Sequence, residues 1–162
     1  MRAHLLAFTL LAAATLPAFA ADAPANNFLT AKEIAGLIEK AKADRKDNAP
    51  NVVEPIIGLA PYRAQLEYRA GTAPAAVHET DAELMYVLEG SGNIVTGGKL
   101  INEKRNNEHN LGGSGIEGGQ AHNVVKGDVL LVPEKTPHQV IPGNGGLIVL
   151  MTMHVPRPVN WP

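Results

Sequence analysis

Residues 71–90 read GTAPAAVHETDAELMYVLEG, and together with residues 127–138, GDVLLVPEKTPH, they decide the fold. Both stretches hold short β-type runs bounded by Gly and Pro. The run Glu83–Leu88 carries apolar residues on both of its faces, as do Val129–Val132 and Leu147–Met153. Such strands are expected to be covered on both sides, by a barrel interior on one and by another sheet, a helix or a second subunit on the other. If residues 76–80 and 83–88 are consecutive antiparallel strands joined by a turn, His78 and Glu83 both face inward, and the strand receiving His138 lies beside them. Met85 and Val87 follow Glu83 at alternate positions, so they share its inward face and line a pocket wall.

Outward from this centre, the chain from Asn51 onward is a succession of short runs punctuated by Gly, Pro and Asn, the pattern of a small antiparallel β-barrel or jelly roll. Arg63–Arg69 alternates: Ala64, Leu66 and Tyr68 point one way, Arg63, Gln65, Glu67 and Arg69 the other, giving a strand with one wet face. Before the barrel, Thr30-Ala-Lys-Glu33 has the spacing of a capping box, and Ile34, Leu37, Ile38 and Ala41 recur at helical intervals opposite Lys32, Glu39 and Lys40. A helix over 31–43 that caps the barrel core follows. Residues 98–121, rich in Asn and Gly, read as one long irregular loop, a lid or an oligomer arm. Its Gly113-Ser-Gly-Ile-Glu-Gly118 spells a dinucleotide fingerprint without the strand-to-helix context that such a site requires, so no nucleotide cofactor is expected.

Two imidazoles and one carboxylate converging on a point form a facial set that suits a divalent ion and leaves positions open for substrate. His78, Glu83 and His138 are the candidates. A strand histidine taken alone is as readily a hydrogen-bonded or exposed residue. His122 and His154 are further pocket candidates, the first as a fourth ligand or substrate contact, while His109 sits in polar surroundings and is expected at the surface. The serines outside the leader, Ser91 and Ser114, lie in glycine-flanked turns and form no nucleophile elbow. Glu79, Asp81 and Glu83 are too close in the chain for glycosidase acids across a cleft.

The two quoted stretches resemble the paired motifs of the cupin superfamily. The first motif there runs glycine, His-x-His, glutamate, glycine; His78 falls on its second histidine, and Glu83 and Gly90 keep the spacing of its last two members. The second resembles Gly-x5-Pro-x-Gly-x2-His, met here by Gly127, Pro133 and His138. The likeness covers about residues 52–155. It implies a cupin barrel, pairing as a homodimer, and a metal held through histidines and a glutamate, with iron, manganese, zinc and nickel all open. Departures are Ala76 at the first histidine, Lys135 at the second glycine and Pro142 at a usual asparagine. Either a three-ligand site remains or the pocket binds ligands without metal.

Residues 1–20 carry Arg2, an apolar run from Leu5 to Leu16 and Ala18-Phe-Ala20, the layout of a cleaved secretory leader. The run is too short to span a bilayer, so the mature protein is expected in the periplasm with no membrane association. Residues 21–50 then form the lead and capping helix, and 51–162 the barrel. Beyond the leader, 13 Lys and Arg oppose 16 Asp and Glu, a balance of −3, with no basic cluster, which argues against nucleic acid. The chain has no cysteine, which excludes thiol chemistry. The expected activity is that of a metal-dependent oxygenase, isomerase or lyase on a small organic molecule, the alternative being a metal-free binding or sensing module.

Overall fold

A computed structural model describes residues 27–143 and 146–157; the secretory leader expected at 1–20 lies outside the described residues. The described chain is one helix followed by twelve strands. Helix α1, Ala31–Asp44, opens as its sequence dictates: the Thr30 hydroxyl accepts from the Glu33 amide while the Glu33 carboxylate accepts from the Thr30 amide. Leu29, Ile34, Leu37 and Ile38 pack, with fully buried Ala41, on an apolar cluster of Ile56, Ala64, Leu66, Tyr68 and Val149. That cluster is the outer face of the barrel wall, so the helix covers the barrel as expected. Lys40 pairs with Asp44 and reaches Glu54 on the first strand.

The wall comprises β1 Asn51–Leu59, β2 Tyr62–Arg69, β3 Ala75–His78, β4 Asp81–Thr96, β5 Lys99–Ile101, β6 Lys104–Asn107, β7 Asn110–Gly113, β8 Gly115–Glu117, β9 Gln120–Val125, β10 Val129–Val132, β11 His138–Pro142 and β12 Ile148–Pro156. All pairings are antiparallel, and the curled sheet runs β1-β2-β12-β4-β11-β3-β7-β6, with β9 and β10 also on β4. Strand β4 belongs to both halves. Its first part pairs with β12 and β10, its second with β11 and β9. The change of sheet falls at Gly90, where φ is +76° and a Cβ would stand 2.2 Å from the Leu147 carbonyl oxygen, so only glycine fits. Between the halves lies the inner core of Met85, Val87, Ile94, Val124, Val132, Val140, Ile148 and Leu150.

Several expectations are corrected. His78 and Glu83 do face the same space, but β3 and β4 are not partners: the Glu79-Thr80 link carries the chain from one half of the barrel to the other, and β3 pairs with β11 and β7. The expected loop 98–121 is built of β5 to β8 and the start of β9; β6 and β7 form a hairpin docked on β3, and β5 pairs with β8. Of the expected wet face of β2, Arg63 is exposed, but the remainder turns into the barrel, where Glu67 is only 4% exposed and accepts from Gln65, Arg69 and Thr152. Each lone pair on a buried carboxylate needs such a donor, and this strand supplies two of its own. Finally, Val129 and Leu131 on β10 are 62% and 57% exposed in the single chain: helix α1 packs on the cluster of β1, β2 and β12 residues and is not the cover expected for this strand.

Candidate metal centre

One end of the barrel gathers three histidines around a single carboxylate. Glu83 stands on β4 at 3% exposure, above Met85 and Val87, which are buried below it in the inner core. His154 of β12 is its direct cross-strand neighbour. His78 arrives from the end of β3, and His138 from the start of β11, where it pairs across to Ala76. The Nε2 atoms of His138 and His78 lie 3.0 Å and 3.4 Å from Glu83 Oε2, and that of His154 lies 4.0 Å from Oε1. A ligand atom from each of His78, Glu83 and His154 lies within 4.8 Å of the other two. His138 lies outside that 4.8 Å set and reaches the cluster through its 3.0 Å contact with Glu83.

Partners on the far side of two rings assign their tautomers. His138 Nδ1 is 3.1 Å from the Thr136 carbonyl oxygen, which can only accept, so Nδ1 carries the proton. His78 Nδ1 is 2.6 Å from Asn110 Oδ1. The orientation of that amide follows from its neighbours: the His109 backbone N–H donates to Asn107 Oδ1, so the Asn110 group donating to the same oxygen is its NH2. Asn110 therefore turns its oxygen to His78, and Nδ1 is again the donor. Both Nε2 lone pairs consequently aim at an acceptor-only carboxylate. Lone pair facing lone pair is repulsive unless a proton or a metal cation lies between, so the donor set fits a divalent ion.

Charge in the cluster follows the same geometry. Burial pushes the Glu83 carboxyl up, but the contacts with His138 and His78 outweigh it and hold the group well below the usual carboxylate range. Burial pulls His78 down, and its interactions with Glu83 and Asn110 more than offset this, leaving its pKa raised. Burial dominates at His154, whose pKa is lowered. His154 Nδ1 is buried without a hydrogen-bond partner, 3.7 Å from Asp81 Oδ2.

The structure thus places the expected His78, Glu83 and His138 together and brings His154 to the same group. His122 does not join them: its Nε2 is 3.1 Å from the Thr96 hydroxyl, and it is no replacement for the histidine missing at position 76. His109 is exposed as expected. Asn110, Asp81 and the Thr136 carbonyl escaped sequence reading. Only the spacing of Asn110 within an asparagine-rich stretch hinted at a polar role.

No protein-family model and no curated protein matches the chain. Solved structures do. A protein with a double-stranded β-helix domain from Klebsiella pneumoniae superposes with TM-score 0.53 at 11% identity, over 74% of this chain and 86% of that one. The barrel has the cupin fold. An iron(II) form of HppE matches with TM-score 0.51 at 18% identity, over 68% of this chain and 53% of that one. TT1209 of Thermus thermophilus matches with TM-score 0.52 at 18% identity, over 72% of this chain and 93% of that one. Within the cupin barrel, two of the three departures from the motif have a structural consequence. Ala76 removes one of the two ligands that β3 would offer, at the position paired with His138, and leaves His78 as the ligand from that strand. Lys135, at the motif's glycine, adopts φ +61°, and its amide donates to the His78 carbonyl, tying the turn before β11 to β3.

Proposed function

We propose that this cupin is a metal-dependent enzyme acting on a small organic molecule at the open end of its barrel. The observation that carries the reading is the convergence of two Nδ1-protonated imidazoles, His78 and His138, through Nε2 on buried Glu83. Bound there, a divalent ion acts as a Lewis acid toward a substrate oxygen. Glu83 supplies the negative charge that holds a cation at this buried end of the barrel. Asn110 and the Thr136 carbonyl hold the rings in the binding tautomer, and the inner core beneath Met85 closes the site to water from below. The His78 side chain keeps 20% exposure, so the approach from solvent lies on its side. Imidazole and carboxylate donors accept iron, manganese, zinc and nickel; the iron(II) of HppE is one precedent within the fold. Oxygenase, isomerase and lyase chemistry all use such a site.

The test is thermal unfolding of protein stripped with chelator and then titrated with Mn(II), Fe(II) or Zn(II). Binding to the folded state alone raises Tm in a concentration-dependent manner, and His138→Ala abolishes most of the rise. A wild-type Tm indifferent to every ion sinks the reading. It would favour the second one, a metal-free binding module, for which Ala76 speaks and in which hydrogen bonds from the surrounding imidazoles hold Glu83.

Export to the periplasm, on the layout of residues 1–20, and homodimer formation belong to the same proposal. The uncovered row of Val129 and Leu131 on edge strand β10 supports pairing.

A further inference from the structure

The ligand missing at Ala76 has a counterpart on the opposite wall of the barrel. We infer that His154 is the fourth ligand of the metal centre and Asp81 the group that orients it, so the ion is held by His78, Glu83, His138 and His154. This rests on the metal reading above and adds to it the make-up of the site.

Three observations carry it. His154 faces Glu83 directly across the β12–β4 ladder, so both side chains emerge on the same inner face and neither can turn away without breaking the pairing. Its Nε2 addresses Oε1, the carboxylate oxygen that His78 and His138 leave free, at 4.0 Å. Two ligands on one ion at bonds of about 2.1 Å stand at most about 4.2 Å apart, so this spacing admits a shared ion. The third observation is the ring's other side. His154 Nδ1 is buried with no hydrogen-bond partner, and Asp81 Oδ2 stands 3.7 Å from it. A buried unpaired ring nitrogen is costly; a small approach to Asp81 satisfies it.

With that approach all three histidines obey one rule. Each turns Nδ1 to an oxygen acceptor, Asn110 Oδ1, the Thr136 carbonyl or Asp81 Oδ2, and each turns Nε2 to Glu83. A histidine whose Nδ1–H is held by a carboxylate is the arrangement that fixes a metal-binding ring and raises its basicity. His78 packs edge-on against His154 with ring centroids 4.6 Å apart, which further limits the rotation of both. His154 on β12 thus supplies the ligand that Ala76 lacks, His78 remains the ligand from β3, and a bound ion would be approached by substrate from the side of Ala76.

The experiment measures Co(II) binding to chelator-stripped, untagged protein by its visible spectrum, with Zn(II) competition for affinity. It compares wild type with His154→Ala, Asp81→Asn and the double variant His154→Ala/Ala76→His. Expected are one Co(II) per wild-type chain, a loss of at least tenfold in affinity with a changed spectrum in His154→Ala, and recovery of affinity in the double variant. Asp81→Asn should lose about ten- to hundredfold, the usual effect of removing an outer partner. Should His154→Ala fold poorly, 15N spectra of wild-type histidine side chains with Zn(II) decide instead: three metal-bound Nε2 signals support the inference, two overturn it. Wild-type affinity and spectrum in His154→Ala overturn the inference while leaving the metal reading intact. A wild type that binds no metal overturns both.

Discussion

Lys135 and Glu83 show how single residues hold this site. Lys135 occupies left-handed backbone at φ +61°, a conformation that disfavours a side chain by about 1–2 kcal/mol. Lys135→Gly should therefore raise unfolding free energy by up to about 1 kcal/mol once the flexibility of glycine in the unfolded chain is counted, read by denaturant titration; a clear loss would mean that the lysine side chain stabilises the turn. Glu83 gives a pH signature. Its folded pKa lies below its ordinary 4.5, so its contribution is present above that value and is lost as pH falls through the folded one. Metal-free wild type should lose stability between about pH 5 and pH 3 by a component absent from Glu83→Gln. Identical acid limbs would contradict the contacts drawn around Glu83. Three of the four clustered residues were legible in the sequence, because His78, Glu83 and His138 keep motif spacing. His154 was readable only as a residue near the pocket, since its place opposite Glu83 is made by the pairing of strands about seventy residues apart in sequence.

At the scale of elements, helix α1 was legible to within a residue of its end, because its capping box and apolar stripe are local signals. The segment 98–121 was not. Its strands carry few apolar residues to alternate, and all four residues of β6 are exposed, so backbone pairing rather than burial makes them strands. The polar face of β2 misled for the opposite reason: its charges neutralise one another inside the barrel, Arg69 against Glu67 at 2.6 Å, which alternation alone cannot distinguish from a face in water. Strand β4 turns its corner at Gly90. Gly90→Ala should cost about 2–4 kcal/mol, since the added carbon meets the Leu147 carbonyl and the φ disfavours any side chain. Calorimetry showing a change under about 0.5 kcal/mol would mean that the two sheets are not joined as described.

The whole molecule is a barrel with one apolar side covered by its own helix and another left bare. Val129 and Leu131 of β10 lie on that bare side. Leu131→Glu should leave monomer stability within about 0.5 kcal/mol, as for other exposed positions, and should break the proposed homodimer, read by sedimentation. A wild type that sediments as a monomer at all concentrations would contradict the homodimer. The inner core fills the barrel below Glu83, so the chemistry is confined to the end where the histidines meet, and that end owes its character to four strands drawn from both halves of the sheet. The most direct measurement is metal per chain in untagged protein purified without chelator from its own compartment, with Glu83→Gln alongside. About one ion per wild-type chain, lost in the variant, is the result this arrangement of donors predicts; metal-free protein in both would contradict it.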